Sequence, residues 1–147
     1  MKDLVNVKIK FREPFRPFAP SIAAERAGEY FEAFPAENGA DAASRNYPAT
    51  FMLLVFPVKE EKQPIIPAVT HVDGSGRLQT VHRDTNPLYY RLIEKFGEAT
   101  GVPVVLNTSF NLKGEPIVST IQNAYNTFAK SGMDTLVAGR FLIRKDR

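Results

Sequence analysis

A chain of 147 residues, 44% hydrophobic and 24% charged, is long enough for a single domain with a genuine core and too short for two comfortable ones. The absence of cysteine excludes a disulfide framework, a thiol nucleophile and a thiolate metal site, and it fits a reducing cytoplasm. The net charge of +3 is spread along the chain, and no apolar run approaches the roughly 20 residues of a membrane-spanning helix, so a soluble protein without a membrane partner is expected.

Taken in chain order, the start (Met1, Lys2, Asp3, Leu4) lacks the basic and apolar regions of a targeting leader. Residues 3 to 12 alternate in strand fashion through Leu4, Val5, Val7, Ile9 and Phe11. Prolines 14, 17 and 20 then impose an extended, irregular stretch. Ser21 reads as the N-cap of a helix whose stripe is Ile22, Ala23, Ala27, Tyr30, Phe31 and Phe34, ended by Pro35. Residues 36 to 48 are small and polar and read as a surface loop.

Residues 49 to 58 predict an apolar strand, and residues 65 to 69 and 78 to 81 two shorter ones. Between these last two, Asp73-Gly74-Ser75-Gly76 is turn chemistry, so residues 70 to 81 predict a hairpin with His71, Asp73 and Arg77 at its tip. Asn86 caps a helix that ends at Gly101. Next comes the β-branched run Val102, Val104, Val105, Leu106, which asks for a sheet interior and stops abruptly at Asn107, Thr108, Ser109 and Asn111. Such a switch delivers amides and hydroxyls to the carboxyl end of a strand, where α/β proteins bind ligands. A third helix from about residue 119 to 131 and two short strands around Gly139 complete the chain. Helix-linked and hairpin-linked strands together predict α/β (α+β) with a twisted mixed sheet and about three helices.

Several residues stand out chemically. Lys8, Lys10, Arg12 and Arg16 crowd the start among Phe11, Phe15 and Phe18. On an extended chain Lys10, Arg12 and Arg16 share one face, and three cations there call for an anion unless Glu13 pairs with one of them. Basic residues interleaved with aromatics suit a phosphorylated small molecule, and an RNA- or nucleotide-binding module is the alternative reading, which the sequence pI of about 9.2 also permits. Arg77 follows a Gly-rich turn, where a guanidinium can fork around phosphate oxygens. His71 and Asp73 share a face, with ligand orientation open to His71 and shaping of its own turn the simpler reading of Asp73. No third metal ligand stands beside them, so no metal is expected. Ser109 lacks the flanking glycines of a nucleophile elbow and reads as a donor to an anion; no catalytic residue is assigned.

Three blocks in order carry a resemblance: Lys10-Phe-Arg-Glu-Pro-Phe-Arg-Pro-Phe-Ala-Pro20, Pro67-Ala-Val-Thr-His-Val-Asp-Gly-Ser-Gly-Arg-Leu-Gln-Thr-Val81 and Thr100-Gly-Val-Pro-Val-Val-Leu-Asn-Thr-Ser-Phe-Asn111. Gly114-Glu-Pro-Ile-Val118 and Gly132-Met-Asp-Thr-Leu-Val-Ala-Gly139 extend it. The whole, residues 1 to 147, resembles the C-terminal domain of nodulation-type and antibiotic-pathway O-carbamoyltransferases.

The resemblance implies a YrdC-like domain with a concave basic pocket. In that family the domain activates carbamoyl phosphate with ATP to a carbamoyl-adenylate, and an N-terminal acceptor-binding domain passes the carbamoyl group to a hydroxyl. Carried over, Lys10, Arg16, Arg77 and Ser109 would hold carbamoyl phosphate and the nucleotide phosphates, with Arg12, Asn107 and Asn111 as secondary contacts. The chain begins just before the first block, so the family's upstream arginine segment and its acceptor domain are expected to be supplied elsewhere, in cis or by a separate chain. Ala49-Thr50-Phe51-Met52 stands where the family commonly shows Ser-Pro-Tyr-Met.

Overall fold

The computed structural model describes residues 1–32, 34 and 46–146. In chain order its elements are α1 (Lys2–Leu4), continued by a π-helical turn (Val5–Ile9), then β1 (Ala19–Ala23) and a 3₁₀ turn (Ala24–Arg26) entering α2 (Ala27–Tyr30). A 3₁₀ turn (Pro48–Phe51) precedes β2 (Phe56–Pro57), and another (Glu60–Lys62) precedes β3 (Ser75–Gly76) and β4 (Gln79–Val81). The chain closes with α3 (Pro87–Thr100), β5 (Val104–Asn107), α4 (Ile121–Lys130), β6 (Thr135–Ala138) and β7 (Phe141–Arg144). This is the mixed α and β class that the sequence predicts. None of the described helices is long and apolar enough to cross a membrane. The chain divides into two compact units, Pro17–Asn107 and Met1–Arg16 with Thr108–Arg147.

The Pro17–Asn107 unit is built on a three-stranded mixed sheet of order β4-β1-β5. β1 runs parallel to β4, with Ser21 opposite Gln79, and antiparallel to β5, with Ala19 opposite Asn107. All five β1 residues are buried, and Ile22 is wholly so, which contributes about 2 kcal/mol by the usual value of a buried aliphatic side chain. Pro20 is tolerated in this central strand because β4 pairing begins only at Ser21, so one neighbour alone, Leu106, stands opposite it. α3 covers one face, packing Tyr90 and Ile93 on Ala23 and Val81. Its start is fixed by the Asn86 side chain, which accepts from the Tyr89 N–H, and its end by Gly101 at φ +77°.

Several predicted elements are corrected. Residues 3 to 9 are helical, not a strand, and residues 10 to 12 are irregular: the Val5 N–H reaches the Met1 carbonyl at 3.0 Å and the Lys10 N–H the Val5 carbonyl at 2.9 Å, so local bonds replace a partner strand. The helix expected from Ser21 is β1 followed by the single turn α2, because Ser21 lies between two strands rather than at a helix start. Residues 49 to 58 form a 3₁₀ turn and only two strand residues, and 65 to 69 are turns. The expected hairpin is split: β3 pairs with β2, whereas β4 joins β1 in parallel. β5, expected in a sheet interior, is an edge strand and half-buried beyond Val104. Pro35 and residues 36 to 45 of the predicted loop lie outside the described residues.

The second unit packs Val5, Leu112, Phe128 and Leu136 in its interior. α4 starts where the Thr120 hydroxyl accepts from the Asn123 N–H. β6 and β7, the two short strands expected around Gly139, pair as a hairpin with Ala138 opposite Phe141, and Gly139 takes the φ of +57° that this two-residue turn requires.

Candidate functional site

In the unit containing residues 1–16 and 108–147, the site grows from Lys10. The π-helical turn delivers it, and Phe11 then adopts a left-handed φ of +48°, a strained value for a bulky residue that reverses the chain. Only 4% of Lys10 is exposed. Its ammonium donates to the carbonyls of Ser109 and Asn111, each at 2.6 Å, to Asn111 Oδ1 at 2.8 Å and more weakly to Ser109 Oγ at 3.3 Å. Three N–H groups thus meet three short acceptors, and the 109–111 loop is gathered around one buried charge. Burial, followed by the nearby Arg12, lowers the Lys10 pKa to about 8.

The loop has its own order. Ser109 Oγ donates to Asn111 Oδ1 at 2.6 Å, and Asn111 Nδ2 donates to the Glu115 carbonyl at 2.8 Å. Because the Ser109 proton rests on a neutral amide oxygen rather than a base, the exposed hydroxyl is suited to positioning a ligand rather than attacking one.

Asn6, wholly buried, organises the arginine segment. Its Nδ2 donates to the carbonyls of Pro14 at 3.0 Å and Arg16 at 2.9 Å, while its Oδ1 accepts from Arg12 Nε at 2.7 Å. Arg12 is held below its ordinary pKa by burial first and by Arg16 second, with Glu13 opposing. Glu13 lies between Arg16 Nε at 2.8 Å and Lys113 Nζ at 3.0 Å. Its own backbone N–H, then Lys113, depress its carboxyl to about 2. The three cations therefore do not share an extended face; the carboxylate pairing weighed as the alternative is what relieves Arg16.

In the Pro17–Asn107 unit the turn before Arg77 is tightly specified. Asp73 Oδ1 accepts from the Ser75 N–H at 3.0 Å and Ser75 Oγ at 2.6 Å, and these bonds hold its carboxyl below the usual range. Since the Ser75 proton goes to Asp73, the 3.1 Å contact with His71 Nδ1 has the imidazole as donor. Asp73 does shape its own turn, and His71 braces it. Arg77 leaves this turn exposed, with no ion pair or side-chain hydrogen bond among the described residues.

Asn107, at the end of β5, donates through Nδ2 to Gln79 Oε1 at 2.7 Å, and Ser21 Oγ donates to the same oxygen at 2.6 Å. Of the residues that the sequence suggested, Lys10, Ser109 and Asn111 are thus joined directly; Arg12 and Arg16 occupy one loop under Asn6; His71 and Asp73 build the turn before Arg77; and Asn107 belongs to the sheet network. Asn6 and Gln79 were not anticipated. A single polar residue between apolar ones, Val5-Asn6-Val7, is the signal that marks the first; Gln79 lies beside Thr80 between Leu78 and Val81 and carries no such signal. Among the described residues no three His, Asp, Glu or Cys side chains gather as a metal site would.

Compared with known families, residues 1–145 match the model described as Carbamoyltransferase C-terminus. The chain is 46% identical to Nodulation protein NolNO of Sinorhizobium fredii over 98% of its own length and 20% of that protein's. It is likewise 46% identical to Nodulation protein NolO of Bradyrhizobium diazoefficiens, over 98% and 25% of the two lengths. With an uncharacterized protein of Synechocystis it shares 42% identity over 99% and 25%. The chain spans a quarter or less of the length of these relatives.

Proposed function

The chain belongs to the carbamoyltransferase C-terminus family, and on that premise we propose that it is the activating domain of an O-carbamoyltransferase, which binds carbamoyl phosphate and ATP and forms a carbamoyl-adenylate. An N-terminal domain, in cis or as a separate chain, passes the carbamoyl group to an acceptor hydroxyl. Balance requires water to release inorganic phosphate from carbamoyl phosphate and the carbamate oxygen to displace pyrophosphate from the α-phosphorus of ATP. Two anionic reactants repel, so fixed cations that offset their charge and hold them in line supply much of the rate.

The observation that carries this reading is the assembly of Lys10, Ser109 and Asn111, three residues from two motif blocks about a hundred positions apart. Lys10 is committed to loop oxygens, so its role is to hold the loop and lend its charge to a phosphate. Ser109 offers its exposed hydroxyl, and Arg77, without an ion pair among the described residues, offers the fork that a phosphoryl group accepts. Arg12 and Arg16 extend the positive field, while Asn107 and Asn111 are neutral hydrogen-bonding partners.

Titration calorimetry with carbamoyl phosphate, with and without a non-hydrolysable ATP analogue, tests the proposal. Saturable binding that disappears in an Arg77→Ala variant of unchanged circular dichroism is expected, without completed transfer to any hydroxyl by this chain alone. Failure of the folded chain to bind either phosphate compound overturns it.

A further inference from the structure

Gln79 and Asn107 form a paired amide that no phosphate requires. Register places Ser21 directly opposite Gln79 on β4, and Asn107 at the end of β5, on the same sheet face as Ser21 and Ala23. Gln79 Oε1 accepts from Ser21 Oγ and from Asn107 Nδ2, which fills both lone pairs of that oxygen. Ser21 is wholly buried and gives its hydroxyl proton to this oxygen, with the Tyr89 hydroxyl as its other side-chain neighbour. Turning the Gln79 amide over would set Nε2 against the Asn107 Nδ2 donor. Asn107 Nδ2 also lies 3.7 Å from Met52 Sδ, a second acceptor that favours this orientation of the pair.

Two atoms are left over. Gln79 Nε2, a donor, and Asn107 Oδ1, an acceptor, have no hydrogen-bond partner among the described residues, and each is attached to the carbon bearing one atom of the 2.7 Å contact. Both side chains are half-buried, so a ligand can reach them. A fixed, uncharged donor beside a fixed, uncharged acceptor is complementary to a planar neutral group that carries an amino group next to a carbonyl or ring-nitrogen acceptor. We infer that Gln79 and Asn107 read such a group: Nε2 donates to its acceptor, and Oδ1 accepts from its –NH₂. This deepens the proposed function and rests on it. Two groups in that reaction have the chemistry, the carbamoyl group itself and the amino edge of adenine, which paired side-chain amides commonly recognise.

The experiment compares isosteric ligands by calorimetry on the full chain. Acetyl phosphate replaces the carbamoyl –NH₂ by methyl, and ITP replaces the adenine amino group by oxygen; inorganic phosphate is the common reference. The wild type is expected to prefer the amino-bearing member of one pair by about tenfold, the value of one well-made hydrogen bond to a ligand. Asn107→Leu is expected to bring that ratio to about one. Loss of the preference within the carbamoyl and acetyl pair assigns the site to the carbamoyl group, and loss within the ATP and ITP pair assigns it to the base. Gln79→Glu retains an acceptor for Ser21 and Asn107 and exchanges only the outward donor, so it decides the matter if Asn107→Leu does not fold. It should lower the affinity for the selected ligand relative to inorganic phosphate. If the wild type binds phosphates yet shows no preference within either pair, if a folded Asn107→Leu keeps the preference, or if Gln79→Glu leaves the affinity for the selected ligand relative to inorganic phosphate unchanged, the inference is overturned while the proposed function stands. If no phosphate ligand binds at all, the proposed function fails and takes the amide reading with it.

Discussion

The Lys10 ammonium lies 2.6 Å from the carbonyl oxygen of Asn111, two residues joined across 101 positions of sequence, and 2.8 Å from the same residue's Oδ1. A loop that donates three oxygens to one buried cation depends on that charge for its shape. The loop geometry and the charge state of Lys10 are consequently a single property.

Because burial lowers the Lys10 pKa to about 8, the charge is present below that pH and is lost as pH rises through it. Affinity for carbamoyl phosphate should fall above about pH 8. Lys10→Met should bind weakly at every pH, which calorimetry across pH 6.5 to 9.5 (roughly 1.5 units either side of the shifted value) would reveal. A wild-type affinity flat across this range would separate Lys10 from the phosphate. Folding runs the other way for this group: the cost of burying its charge is felt below about 8 and is gone above the ordinary 10.5.

Asn6→Ala removes three hydrogen bonds at once, to Pro14, Arg16 and Arg12. The expected loss is about 2 to 4 kcal/mol in a urea unfolding curve, since two carbonyls and a guanidinium N–H lose their partner. Asn6→Asp should be less damaging to the Arg12 contact and equally damaging to the two carbonyls. A stability change under about 0.5 kcal/mol for Asn6→Ala, the range of ordinary surface substitutions, would show that the arginine segment holds itself.

In an exposed helix Gly→Ala normally adds about 1 kcal/mol of stability. Gly97 in α3 should do the reverse, because a Cβ there would stand 2.8 Å from Pro103 Cβ and 3.0 Å from its Cα. Gly132→Ala should be worse, with a Cβ 2.5 Å from the Lys8 carbonyl, whose hydrogen bond from the Gly132 N–H it would displace. Thermal unfolding of both variants checks this: a rise in Tm for Gly97→Ala would mean that the helix and Pro103 can separate at no cost.

Glu13 is held at about 2, far below the ordinary 4.5. A depressed carboxylate stabilises the fold above its unfolded value, and this contribution is lost as pH falls from about 4.5 through about 2. Glu13→Gln should therefore narrow the difference in stability between pH 6 and pH 3 (values chosen about 1.5 units either side of 4.5) relative to wild type. Identical acid profiles for the two proteins would remove Glu13 from the account.

Parts of this molecule were legible because their signals are local. Asn86, the apolar stripe and Gly101 announce α3 from end to end, as Gly139 announces the β6–β7 turn. The β1 segment was not, since Ser21 after Pro20 imitates a helix cap; what makes it a strand is pairing with Gln79, 58 positions later, and with Val105. Residues 3 to 12 misled for a related reason. Alternation of apolar residues describes a strand only if a partner strand exists, and Asn6, the polar residue inside that pattern, is buried under a loop it bonds.

Sequence alone determined the residue types and their order: the cations near residue 10, the turn before Arg77, the polar end of the β-branched run, and through these blocks the family. Short-range chemistry of caps, glycines and side chains suffices for such features. Only the tertiary structure decided what each group does with its charge or its proton: that Lys10 is spent on its own loop, that Glu13 relieves Arg16, and that Gln79 and Asn107 face each other. Those outcomes depend on burial and on contacts between residues tens of positions apart, and the strength of a hydrogen bond or a charge is set by the surroundings that such contacts create.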